Sequence, residues 1–557
     1  MSDSESSSEI VAHKRKRTSR ACDCCRRKKI RCDPTTIPCE NCIGHGTQCV
    51  FTRVNRPRKT PRKNAGRLDD LEACLSQIEI LLRQSHPAEV NGGGRNAQSA
   101  SFVMKNSDAE VTNSSSLKRP HRLGNRTLPP RADVQPMIID FFEGYNHSLP
   151  LFQPALFMQS LEEEYTQGRQ ENPARRAVVS IVLALSMRLN PNHDIALKNR
   201  DRAWKCAQHA FDDIPTLMMR QTDLMTVQAL LGMAIFLHGT PNPRPASVLV
   251  AAAIRLAFGL GMQRRRFDSS LSPAETQQRL RVWWVAYCLD KDFSLRFEQP
   301  SMINDDDMDV ELPELVPEDQ VGLMITAEGR PAINLFRLRV HLAVIQSKAY
   351  LDLYSVRALE KSEEESLCAM QNLDDLLTEW NDCLPTGLDA DNLVTSVNPG
   401  SRMPLMMLHL LYFNCLTIVH RVSFQNQSWT KFILHVGWED LGDVPHRQCL
   451  SALRCLEAAR ASLRLMELAP QGDYACTWIL LSYSVSAIII LFARMIHEPT
   501  HDSAQTDMDL IRPQIRLLNS FAEDQHLDEL KNMRELCNEL ARRADNALNM
   551  SQQPTAS

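Results

Sequence analysis

No glycine-rich phosphate loop and no nucleophile elbow occurs in the 557 residues, and no grouping of His, Cys and Asp has a local context that suggests catalysis. These absences set the enzyme classes aside and leave a binding protein as the expectation. The first ten residues are Ser- and acid-rich, with no apolar stretch of the kind a secretory signal needs. The cysteines are therefore expected to stay reduced, and a disulfide framework is the poorer reading of them. By the same argument, the glycosylation triplets at Asn113 and Asn125 are chance matches. Apolar alternation of the strand type is scarce, so the fold is expected to be mainly α.

What the chain does have is a series of six cysteines, Cys22-x2-Cys25-x6-Cys32-x6-Cys39-x2-Cys42-x6-Cys49, with Arg26, Arg27, Lys28, Lys29 and Arg31 in the first six-residue gap. A Cys-x2-Cys pair lets two thiolates reach one tetrahedral zinc at about 2.3 Å each. Six thiolates cannot give two zinc ions four ligands apiece unless two of them bridge both metals, so the count points to a binuclear cluster. Cys24 breaks both spacings if it replaces Cys25, and is expected to be no ligand. The remaining cysteines show no ligand spacing and sit where small apolar residues would serve.

Charge is distributed unevenly. Although the whole chain is formally −4, the stretch from Val11 to Arg67 has 17 Lys and Arg against Asp23, Asp33 and Glu40, a local balance of +14. Such asymmetry is the footprint of a nucleic-acid-binding end on an otherwise acidic protein. His13-Lys14-Arg15-Lys16-Arg17 suits a nuclear import signal or a phosphate-binding arm. Pro57 and Pro61 keep the second basic stretch, Arg53 to Arg67, out of a helix, so it is expected to be an extended linker.

The cysteine series resembles the fungal binuclear zinc cluster transcription factors, the Zn2Cys6 family. The resemblance implies two Zn2+ per chain, with Cys22 and Cys39 bridging, Cys25 and Cys32 completing one site, and Cys42 and Cys49 the other. Pro38 stands where the family has the proline that turns the loop between the two halves. The resemblance also implies that Lys28 and Lys29, at the end of a short helix from Asp23 to Arg31, meet the base edges of a CGG triplet, while Arg20, Arg26, Arg27 and Arg31 serve phosphates.

Behind the linker, Leu68, Leu71, Leu75, Ile78 and Leu82 alternate three and four apart, a seam of about two heptads. Placed there, it is expected to be a dimerisation helix. Apolar periodicity then lapses to about Pro130, which reads as a disordered spacer. Beyond it, helix-length apolar stretches such as Leu224 to Leu237, Ala246 to Leu260 and Leu405 to Val419 point to a large all-helical regulatory domain. Phe141 to Phe157, Ala253 to Gly261 and, most specifically, Arg279-Leu280-Arg281-Val282-Trp283-Trp284-Val285-Ala286-Tyr287-Cys288-Leu289-Asp290, continuing to Asp309-Val310-Glu311-Leu312-Pro313, resemble the regulatory domain that accompanies the zinc cluster in fungi.

The expected organisation is a disordered arm over 1–17, the zinc module over 18–52, a basic linker over 53–67, a short coiled coil over 68–84, a disordered linker over 85–134, the regulatory domain over 135–330 with a helical continuation over 331–545, and a disordered tail over 546–557. Trp283 and Trp284 are expected to be core. Asp305-Asp306-Asp307 lacks the spacing of a calcium loop and is expected to bind no metal. Leu373 to Trp380 mimics an acidic activation segment but has the spacing of a core-facing helix. Ala475 to Ala493, 19 residues without a charge, is expected to be a central helix rather than a membrane span.

The function expected is that of a nuclear, sequence-specific regulator of RNA polymerase II genes. Its expected partners are double-stranded DNA, a second copy of the chain, and the transcription machinery or co-regulators, with no membrane. Control of a biosynthetic gene cluster for a secondary metabolite is the pathway that family habit suggests. Two alternatives remain at this point: a zinc-cluster interaction protein without selective DNA binding, and a regulator that senses a small molecule through the helical domain.

Overall fold

A computed structural model describes residues 25, 28, 32, 38–47 and 49 near the N-terminus and, further on, 128–167, 172–190, 192–240, 243–265, 271–325, 331–385, 388, 390, 399–421, 446–468, 483, 485–492, 494–495, 499–520 and 528–552. The chain divides into two compact units, Met1–Leu71 and Glu72–Ser557. The first contains one short helix among the described residues, α1 (Glu40–Gly44). The expected coiled coil over 68–84 lies outside the described residues.

Among its described residues the second unit is helical apart from one two-stranded hairpin, β1 (Leu323–Ile325) antiparallel to β2 (Pro331–Asn334). Its helices are α2 (Arg131–Glu143), α3 (Tyr145–Ser148), α4 (Pro154–Gln167), α5 (Pro173–Arg188), α6 (His193–Lys198), α7 (Arg200–Phe211), α8 (Ile214–Met219), α9 (Leu224–His238), α10 (Arg244–Gly259), α11 (Pro273–Phe297), α12 (Leu335–Ala349), α13 (Glu363–Asp382), α14 (Pro399–Arg421), α15 (His446–Glu467), α16 (Ala504–Ser520) and α17 (Asp528–Gln552). Local sequence sets several starts. Ser272 and Glu275 form a reciprocal capping box ahead of α11, with Pro273 at the first helical position, and Ser362 and Glu365 do the same for α13.

Both ends of the helical unit extend past the expected limits. α2 begins at Arg131 rather than 135 because Val134 is already core. α17 continues to Gln552 rather than stopping at 545, since Ala547 and Leu548 prolong the buried stripe of Cys537, Leu540 and Ala544.

Two hydrophobic clusters share α11 and α12. The first gathers α2 to α5 and α7 to α11, with α5 and α9 buried on nearly every face at its centre; the second gathers α13, α14 and α15. α12 serves both because its apolar residues fall in two helical registers. Phe336, Val340 and Ala343 face the first cluster, while Leu335, Leu338, Leu342 and Ile345 face the second. Leu373, Leu377 and Trp380 of α13 are buried and the Trp380 indole donates to the Leu338 carbonyl at 2.9 Å, so this acidic stretch is a core helix. Arg402–Arg421 within α14 is long and apolar enough to cross a membrane, but 72% of its apolar window is buried in the second cluster. Within the stretch Ala475 to Ala493, the described Tyr483, Val485, Ile488, Leu491 and Phe492 are buried.

The polar letters of α11 hold an irregular strap, residues 299–322, that runs back along the helix. Lys291 donates to Ser301 Oγ at 2.8 Å and to the Ile303 carbonyl at 2.6 Å, and pairs with Asp305 at 2.9 Å. Asp290 accepts from the Met302 and Ile303 amides at 3.0 and 3.1 Å. Further towards the start of the helix, the Trp284 indole donates to the Glu311 carbonyl at 2.8 Å, and Arg281 grips Asp319 with two bonds of 2.6 and 2.7 Å. Asp305 is thus engaged by a buried lysine and by Ser347. Trp283 and Trp284 are both buried, as expected.

Candidate metal centre and nucleic-acid interface

The described part of the first unit is a cysteine cluster, half of it built by one tight turn. Cys39 caps α1 in an extended conformation, and its carbonyl accepts from the Cys42 and Ile43 amides at 2.9 and 3.0 Å. The x2 spacing thereby folds Cys42 back beside Cys39. The helix is then stopped by Gly46 at φ +58°, with the Gly46 amide bonded to the Ile43 carbonyl and the Thr47 amide to the Cys42 carbonyl. That pair of bonds is a Schellman closure, which needs a left-handed residue and here uses glycine. It reverses the chain so that Cys49 returns to the cluster, where its Sγ accepts from the Cys39 amide at 3.5 Å.

Two groups of three thiols result, Cys25, Cys32, Cys39 and Cys39, Cys42, Cys49, with the sulfurs of each group all within 4.8 Å of one another. Cys39 belongs to both. Its Sγ lies 3.7 Å from that of Cys25, far beyond a disulfide and close to the edge of a tetrahedron of thiolates about 2.3 Å from a zinc, which is about 3.8 Å. Cys25, Cys39 and Cys42 are buried, and Cys32 and Cys49 half-buried. The hydrogen bond from the Cys42 amide holds the Cys39 thiol below its usual range against the opposing effect of burial, favouring the thiolate that a metal needs. Donor type and separation fit zinc.

Five of the six expected ligands are therefore together. Cys22, the extra Cys24, Arg20, Arg26, Arg27, Lys29 and Arg31 lie outside the described residues, as do Leu68, Leu71, Leu75, Ile78 and Leu82. Lys28 is described, exposed in a turn after helical Cys25. The Gly46–Thr47 closure was not singled out in the sequence, although a glycine shortly after Cys42 is its ordinary signal.

Known proteins agree with this geometry. Residues 20–59 match the fungal Zn(2)-Cys(6) binuclear cluster domain, and residues 138–436 match the fungal specific transcription factor domain. Over 98% of its length the chain is 31% identical to an ABC-transporter-regulating transcription factor of Aspergillus fumigatus, covering 75% of that protein, and it shares the same identity and coverage with the protein of that name from Aspergillus oryzae. It is also 30% identical over 76% of its length to the fusaridione A cluster transcription factor of Fusarium heterosporum, covering 79% of that relative. The chain belongs to the fungal Zn2Cys6 transcription factors, with the zinc-cluster DNA-binding domain followed by the fungal-specific regulatory domain. These relatives are named as regulators of transcription, not as enzymes.

Proposed function

We propose that the chain is a nuclear regulator of RNA polymerase II genes that reads CGG-type triplets in double-stranded DNA through a module holding two zinc ions. The observation that carries this reading is Cys39, shared by two thiol triads; with Cys22 as the second bridge, each triad becomes a complete tetrahedron. Zinc would supply no catalysis here. It organises a module too small to fold on apolar burial alone. Lys28 and Lys29 take the base-reading role, and Arg20, Arg26, Arg27 and Arg31 bind phosphates. The seam of Leu68, Leu71, Leu75, Ile78 and Leu82 pairs two copies, so that two half-sites are read together. The names of the relatives favour genes of transport or of a biosynthetic cluster as targets.

The test is selection of duplexes from a random pool by the full-length protein. Enrichment of CGG triplets, lost by about 1–3 kcal/mol of discrimination in Lys28→Ala or Lys29→Ala, is the expected result. Enrichment of no sequence, or a preference unchanged by both substitutions, rejects the assignment. Sedimentation on a duplex with two triplets should find two chains per duplex, and one chain at saturation rejects the dimer.

A further inference from the structure

The strap that α11 holds presents aliphatic side chains on its outer side. Met308, Val310, Pro313 and Pro317 face inward, buried or half-buried, whereas Leu312, Leu315 and Val316 are 39%, 68% and 69% exposed. The anchor register explains how they come to project. Arg281 and Trp284 are three residues apart on the helix, about 4.5 Å of rise, while their partners Asp319 and Glu311 are eight residues apart on the strap. Eight extended residues can span about 26 Å, so the chain between these anchors must bulge away from the helix. The bulge is held rather than loose: Asn334 donates to the Glu314 carbonyl at 2.9 Å, and Arg337 donates to the Pro313 carbonyl.

The strap itself carries charge of one sign. From Gln299 to Gly329 the sequence contains no Lys, Arg or His. Of its acids, Asp305, Glu311 and Asp319 are paired with Lys291, Arg265 and Arg281. Asp306, Asp307, Glu314 and Glu318 are exposed and form no ion pair among the described residues. Aliphatic residues fixed in place on an acidic rim form a surface for a partner of opposite pattern, and their fixed backbone lowers the ordering cost of binding.

We propose that Leu312, Leu315 and Val316 dock a co-regulator protein whose binding groove is apolar and rimmed by Lys and Arg. The proposal rests on the chain's being a transcription regulator, but its test measures a protein–protein contact and is independent of DNA binding. A photo-crosslinking amino acid at Val316 of the full-length chain, expressed in fungal cells, captures whatever docks there. The captured protein is then purified and its affinity for the full-length chain measured at low and high salt. The expected results are one predominant adduct, a loss of affinity of about tenfold or more with Leu312→Ser, Leu315→Ser and Val316→Ser combined, and an unchanged melting temperature. Glu314→Gln with Glu318→Gln, which leaves the apolar contact intact, should slow association and flatten the salt dependence. An absent adduct, an adduct with a second copy of this chain, or an affinity indifferent to both variants overturns the proposal.

Discussion

Replacing Asp292 with Asn should destabilise the helical unit more than any surface change, because Asp292 is the counter-ion of a buried cationic group. The side chain is 1% exposed. Its Oδ2 accepts from the Tyr483 hydroxyl at 3.0 Å and lies 3.6 Å from Arg296 and 3.9 Å from His238. Burial opposes the charge of Arg339 on α12, and Asp292 is one of several groups, after Cys288 and Tyr145, that favour it. Asn keeps the shape and an acceptor for Tyr483 but removes the charge, which leaves the largely buried Arg296 without its acid, a loss of about 3–5 kcal/mol. With an unfolding entropy of about 2.1 cal/mol/K per residue and roughly 420 residues in the helical unit, the melting temperature should fall by about 3–6 °C. Calorimetry of the full-length protein at pH 7.5 measures it. Adding Arg296→Met to Asp292→Asn removes one excess cation and should recover part of the loss. A fall of less than about 1 °C for Asp292→Asn, or a double variant worse than both single losses combined, would show that Arg296 is neutralised by something else.

Three further outcomes are expected. Cys39→Ser should lose both zinc ions and Cys24→Ser should keep both, as elemental analysis of the purified protein would show; retention of zinc in Cys39→Ser removes the shared ligand from the scheme. His238 accepts a 2.7 Å bond from Arg296, and burial, then Arg296 and Arg339, hold its pKa well below the usual 6.5, so it folds neutral. Stability from this residue is present in full above pH 6.5 and is lost as pH falls below it, by up to about 1.4 kcal/mol per unit; His238→Gln should reduce the pH slope of urea unfolding between pH 6.5 and 5.5, and equal slopes would refute this. Gly322 has φ +86°, and a Cβ there would meet Asn334 Oδ1, the cap of α12, at 2.7 Å. Gly322→Ala should therefore cost about 2 kcal/mol in urea titrations, from backbone strain and the lost cap together, and a neutral change would mean that the turn relaxes.

The metal centre was legible because its information is local. Thiol identity and spacing determine which sulfurs can meet, and the structure brings five of the six together, Cys39, Cys42 and Cys49 through a single turn. The spacing of Leu373, Leu377 and Trp380 likewise distinguished a core helix from an activation segment before any contact was known, because a 3.6-residue period is a property of the helix itself. The ends of the helical unit were less legible. Composition near Pro130 and after residue 545 looks polar, and only the burial of Val134, Ala547 and Leu548 shows that helices extend there.

The same principle explains what the sequence hid in α11. Its apolar letters announce a helix, and both tryptophans were expected in the core, but Trp284 also carries a hydrogen bond to a carbonyl that no periodicity could reveal. Arg296 meets His238 from 58 positions away, and Asp292 meets Tyr483 from 191. Charges on a buried helix violate its apolar pattern, and the sequence marks only the violation. The partner is supplied by tertiary structure, since a buried ion is tolerated only where a second element brings its counter-ion or carbonyls. For Asp290 and Lys291 that second element is the strap, and for Asp292 and Arg296 it is the packing of the two hydrophobic clusters against one another. The charged letters of this helix are therefore those whose structural role depends most on distant residues.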